Sequence, residues 1–194
     1  WKLVLLDDFA GSSLDTKIWT AVNTDEVYNN ELECYRASNA YTEDGNLVLE
    51  AAKRKNEAGT KDYTSAKLIT KGKKSWTNGK FEIRAKLPGG QGIWPAIWML
   101  PEDDNILGGW PSGGEIDIME FLGHETNKVY GTLHYGNPHS STQGSYKLPG
   151  TDKFTDGYHV YGMEWEPGEI RWYVDGQLYF TENSWYSGNT SEAD

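Results

Sequence analysis

Apolar and polar residues alternate in short runs along nearly the whole chain, the runs are broken by Gly, Asn and Asp, and no window longer than about ten residues carries a helical period. A period of two sends successive side chains to opposite faces of a strand, so the chain reads as all-β. Strands are predicted at 3–9, 47–52, 65–70, 79–87, 93–100, 114–122, 129–135, 159–165, 169–174 and 177–181. The clearest hairpin is 169–181, because Asp175-Gly176 between two alternating runs is a strong short turn signal. No linker, repeat or low-complexity tract interrupts the pattern, and 194 residues suffice to bury roughly 70% of the unfolded surface. One domain over 1–194 is expected, a sandwich or barrel with connections long enough for a jelly roll.

Composition narrows the partners. With 18 Lys and Arg against 29 Asp and Glu the net charge is -11, which argues against a nucleic acid, whose phosphates are met by basic residues. No apolar run approaches the roughly 20 residues of a bilayer span, so no membrane partner is expected either. The single Cys34 rules out an internal disulfide. Trp1 opens directly into strand-like sequence, and any targeting segment is expected to have been removed. Nine Trp, twelve Tyr and 22 Gly suit a surface that stacks on flat ligands.

On 79–87, Phe81, Ile83, Ala85 and Leu87 share a face opposite Lys80, Glu82, Arg84 and Lys86. On 93–100, Trp94, Ala96 and Trp98 oppose Ile93, Ile97 and Met99; alternation leaves open whether the tryptophans pack in a core or face a ligand. The chemical centre is Glu115-Ile116-Asp117-Ile118-Met119-Glu120. In a regular strand Glu115 and Asp117 share a face while Glu120 falls on the core side, where an unpaired carboxylate is costly. A one-residue bulge at Ile118-Met119 returns Glu120 to its companions. Their outer backbones are then about 13 Å apart, and inward-leaning Glu side chains can approach the 5–5.5 Å separation of a retaining glycosidase. Three such acids cannot all ionise cheaply, so one pKa should be raised. A solvated acidic face and a calcium site are the competing readings of the acids alone. If the hairpin turns at 124–128, Glu120 faces Tyr130, Asp117 faces Thr132 and Glu115 faces His134.

The six-residue acidic motif is accompanied by Asp7-Asp8-Phe9, Gly11-Ser12-Ser13-Leu14-Asp15, Asn29-Asn30-Glu31-Leu32, Asp44-Gly45-Asn46-Leu47, Tyr63-Thr64-Ser65-Ala66, Gly79 to Arg84, Gly92 to Leu100, Trp110-Pro111 and Trp172-Tyr173-Val174-Asp175-Gly176. Together these closely resemble glycoside hydrolase family 16, the jelly-roll endo-β-glucanases. The extra residue before Glu120 marks the laminarinase branch; the lichenase branch lacks it. The resemblance implies a concanavalin A-like β-sandwich of two curved antiparallel sheets with a concave cleft. It further implies a secreted endo-1,3-β-glucanase that also accepts mixed-linkage 1,3-1,4-glucan, with Glu115 as nucleophile, Glu120 as acid/base and Asp117 tuning the nucleophile. A non-catalytic β-glucan-binding jelly roll and an inactive fragment are the alternatives.

Trp94, Trp98 and Trp110 are candidate sugar platforms, because a pyranose presents an apolar C–H face that stacks on aromatic rings, with core packing the alternative for each. The resemblance implies that His134 bonds a catalytic carboxylate or the sugar, and Asn30 and Arg84 are candidate partners for sugar hydroxyls, with a solvated strand face the alternative for Arg84. His139 and His159 have no comparable context. Lys67 stands where laminarinases commonly carry Arg, which removes a planar bidentate donor. No cofactor is needed for catalysis. The resemblance adds one structural calcium, matched here by Asp8 and the Gly45 carbonyl, a short ligand set. Family domains continue past the Asp175-Gly176 hairpin, so roughly 50 residues of a complete jelly roll are expected to be missing after Ser191-Glu192-Ala193-Asp194, which reads as a loop; either a second chain covers the open sheet edges or the chain is a fragment or an engineered piece.

Overall fold

The computed structural model describes residues 1–186; the expected loop at 191–194 lies outside them. The chain gathers into two compact units, Lys2–Ser75 and the chain from Trp76 onward. No helix among the described residues is long and apolar enough to cross a membrane.

The first unit is built from short strands: β1 (Thr20–Ala21), β2 (Glu33–Tyr35), β3 (Ala40–Glu43), β4 (Asn46–Leu49), β5 (Tyr63–Ser65) and β6 (Leu68–Ile69). β1 pairs antiparallel with β6, β3 with β4, and β2 lies parallel to β5. Buried Asn39 joins them, its Nδ2 donating to the Glu50 carbonyl at 2.9 Å and to Thr64 Oγ1 at 3.0 Å. The predicted strand at 3–9 does not form. Asp7 accepts the N–H of Phe9 and the indole N–H of Trp19, and Asp8 accepts the N–H of Ala10, so the segment closes into side-chain-capped turns. Leu3, Val4 and Leu6 are left exposed. The predicted strand 65–70 is two strands, β5 and β6, and β1, β2 and β3 carry too few alternating residues to have been recognised.

The second unit contains β7 (Gly79–Ala85), β8 (Ala96–Met99), β9 (Glu115–Phe121), β10 (Lys128–Tyr135), β11 (Ser140–Lys147), β12 (His159–Glu166), β13 (Glu169–Val174) and β14 (Gln177–Glu182). Two antiparallel four-stranded sheets result, ordered β11-β10-β9-β8 and β14-β13-β12-β7. Their inner faces meet in a shared core. Ile116, Ile118 and Leu133 of one sheet pack with Met163, Ile170 and Trp172 of the other, and a neighbouring cluster joins Met119, Phe121 and Val129 to Tyr161 and Val174. The all-β sandwich is as the alternation requires. β11 was not predicted, because Ser, Thr, Gln and Gly dominate it and leave no apolar stripe, yet it pairs with β10 along its whole length.

The bulge on β9 is present. Asp117 pairs with Thr132 and Glu120 with Tyr130, so three steps on β9 match two on β10, and the same extra residue appears against β8. Ile118 and Met119 are consequently both in the core, at 4% and 1% exposure, while Asp117 and Glu120 lie on the outer face. The other sheet supports this distortion. Trp172 donates its indole N–H to the Asp117 carbonyl at 2.9 Å, and its ring lies so close to Gly131, opposite the bulge, that a Cβ there would sit 2.5 Å from it.

Candidate active site

The outer face of β8, β9 and β10 carries the three acids in a row, in the register expected from the motif: Glu115 opposite His134, Asp117 opposite Thr132 and Glu120 opposite Tyr130. Each glutamate is held by an indole. Trp110 Nε1 donates to Glu115 Oε2 at 2.6 Å, and Trp94 Nε1 donates to Glu120 Oε1 at 3.1 Å. Thr132 Oγ1 donates to the other oxygen of Glu120 at 2.9 Å, and Gln143 Nε2 donates to that hydroxyl at 3.0 Å, which leaves the hydroxyl hydrogen for the carboxylate.

Between the glutamates, Asp117 is 3% exposed. Burial, and then the neighbouring Glu120 and Glu115 charges, push its pKa up to about 8. The raised carboxyl anticipated from three clustered acids is therefore the central one. Its Oδ2 is buried without a hydrogen-bond donor; His134 Nε2 lies 3.5 Å away, near but beyond a normal bond.

Trp94, Trp98 and Trp110 are 49%, 38% and 57% exposed. All three present ring surface to solvent. Trp98 stands beside Asp117 and Ala96 beside Glu120 in the β8–β9 register. His134 is in the cluster, as expected. His139 is there too, with no local pattern to announce it: its Nε2 is 3.0 Å from His134 Nδ1, and its ring lies 5.0 Å from that of Trp110. The hairpin that folds it back depends on β11, the strand without an apolar signature.

Arg84 is corrected. On β7 it belongs to the opposite sheet, whose inner face holds Phe81 and Ile83, so Arg84 projects from the far side of the sandwich, 3.9 Å over the Tyr158 ring. That side bears an ion-pair network of Arg171 with Glu164, Glu166 and Glu169 and of Lys80 with Glu82 and Glu164. Asn30 and Lys67 belong to the first unit. Asn30 takes a left-handed backbone in a turn, with φ 57°, and the Lys67 ammonium lies 5.8 Å over the Tyr35 ring.

The residues expected to ligate calcium are Asp8 and Gly45. Asp8 lends one oxygen to the Ala10 N–H and Gly45 forms the β3–β4 turn with φ 70°; two oxygens fall short of the roughly six to eight that calcium takes. Among the described residues the His and carboxylate atoms that gather within 4.8 Å of one another are those of Glu115, Asp117 and His134.

The model of glycosyl hydrolases family 16 matches residues 28–188. A β-glucanase of Rhodothermus marinus is 46% identical over 190 residues, which cover 93% of this chain and 65% of that protein. The laminarinase catalytic domain of Thermotoga petrophila RKU-1 superposes with a TM-score of 0.84 at 44% identity, over 94% of this chain and 77% of that one. A mutant of a non-specific endo-β-1,3(4)-glucanase of family 16, co-crystallised with 1,3-β-D-cellobiosyl-cellobiose and presenting 1,3-β-D-cellobiosyl-glucose at its active site, superposes with a TM-score of 0.85 at 33% identity, over 94% and 76% of the two chains. The chain thus spans between 65% and 77% of the length of these relatives. The jelly-roll expectation holds. The match runs through β9 and its bulged row of acids, and the chain belongs to glycosyl hydrolase family 16.

Proposed function

We propose that this chain is a retaining endo-β-glucanase that hydrolyses β-1,3-glucan of the laminarin type and accepts mixed-linkage β-1,3-1,4-glucan. The observation that carries the reading is the bulge, which sets Glu115 and Glu120 on one face, each fixed by an exposed indole, around a buried Asp117. Glu120 protonates the leaving glycosidic oxygen while Glu115 attacks the anomeric carbon and forms a glycosyl ester. Glu120, now a carboxylate, then takes a proton from water, the water oxygen attacks the same carbon, and Glu115 departs. Protons given and taken balance at Glu120 with no cofactor.

Trp110 holds Oε2 of Glu115. Asp117, neutral near pH 7, adds no third charge beside the nucleophile. The exposed faces of Trp94, Trp98 and Trp110 suit the apolar C–H face of a pyranose. Because the substrate is a polymer, the enzyme acts outside the cell.

Reducing-sugar release from laminarin, lichenan and agarose tests the reading. Release from laminarin, less from lichenan and none from agarose is expected, and E115Q and E120Q should each abolish it while leaving glucan binding and the fold intact. Binding without release by the unmodified chain would leave a glucan-binding module instead.

A further inference from the structure

We propose that His139, to which the mechanism above assigns no part, is a positioning residue: through His134 it fixes which nitrogen faces Asp117 and so keeps the Asp117 proton on the Glu115 side. The inference rests on the glucanase reading for its kinetic consequence, though not for its structural one.

The contacts form a chain. His139 Nε2 is 3.0 Å from His134 Nδ1, His134 Nε2 is 3.5 Å from Asp117 Oδ2, and the Asp117 carboxyl lies within 4.8 Å of that of Glu115. A neutral imidazole has one N–H and one lone pair, so the partner of one nitrogen dictates what the other presents. His139 carries a hydrogen on Nε2 both as the cation and as its Nε2–H tautomer. Donating it makes His134 Nδ1 the acceptor and places the single His134 hydrogen on Nε2, aimed at the one buried Asp117 oxygen that lacks a donor. A hydrogen turned toward Oδ2 across that 3.5 Å separation favours the Asp117 proton on the other oxygen. The reversed tautomer would turn a lone pair toward Oδ2 and draw the Asp117 proton away from Glu115.

His139 is an exposed residue held by its neighbours. Its ring stacks on His134 at 5.2 Å and 25° and lies against Trp110, whose indole N–H grips Glu115.

Two variants separate hydrogen bonding from ring packing. H139Q keeps an N–H where Nε2 stands; H139F keeps a ring and has no donor. For H139F, kcat on laminarin oligosaccharides should fall about fivefold, the worth of one ordinary hydrogen bond, with KM within about twofold of wild type, and H139Q should recover most of the loss. Independently of activity, ¹⁵N shifts of the His134 ring should show an unprotonated Nδ1 in wild type and H139Q and proton exchange between both nitrogens in H139F. Full kcat in H139F, equal loss in both variants, or a protonated His134 Nδ1 in wild type would each overturn the assignment. If wild type releases no sugar, the glucanase reading fails by itself and the ¹⁵N result alone decides the role of His139.

Discussion

Replacing Asp117 by Asn should change how the stability of the fold depends on pH. In the unfolded chain an aspartate loses its proton near pH 3.9, whereas in the fold Asp117 keeps it until about pH 8, because it is buried between two other carboxylates. Between these values the native state binds one more proton than the unfolded state, so stability falls as pH rises, by about 1.4 kcal/mol per unit, and the loss is complete above the folded pKa. Asn has the size of the neutral acid and does not titrate. The bond from Trp172 goes to the main-chain carbonyl of residue 117 and survives the change. From pH 5 to pH 7 the stability of D117N should therefore gain about 3 kcal/mol on that of wild type. Urea unfolding of both proteins at pH 5, 6 and 7 measures this difference directly. A difference independent of pH would mean that Asp117 is ionised at neutrality, and the account of a neutral acid beside the nucleophile would fail.

Three further changes follow from particular contacts. W110F keeps an aromatic surface but removes the donor to Glu115; kcat/KM on laminarin should fall roughly tenfold, consistent with a hydrogen bond to a charged group. T132V removes the hydroxyl from Glu120 and should lower kcat by about fivefold while circular dichroism stays native. G131A forces a methyl against the Trp172 ring and should destabilise by about 1–3 kcal/mol, seen as a lower unfolding midpoint in urea.

The core of the site was legible because it breaks a rule. A glutamate one step out of phase on an apolar strand calls for a bulge, and the bulge together with a hairpin turn at 124–128 gives the register against β10 down to His134. What carries the bulge was not legible: Trp172 reaches the Asp117 carbonyl from the other sheet, 55 residues along the chain, and no local pattern encodes that meeting. Alternation placed Arg84 off the core correctly, but it cannot say which of two sheets a strand joins, and β7 joins the sheet away from the acids. β11 escaped because Tyr146 is its one large aromatic residue and the rest are polar or small; Gly144 is small because Phe180 lies over it, with a Cβ there only 2.3 Å from the ring. His139 escaped with it. The segment at 3–9 shows the converse error, where alternation exists but Asp7 and Asp8 turn the backbone onto their own side chains.

The central claim is that Glu115 and Glu120 act as a nucleophile and an acid/base pair. Proton NMR of the first product formed from a laminarin oligosaccharide tests it most directly. A retaining pair releases the β-anomer first, with the α-anomer growing in only by mutarotation, and E115Q releases neither. Initial release of the α-anomer, or undiminished release by E115Q, would contradict it.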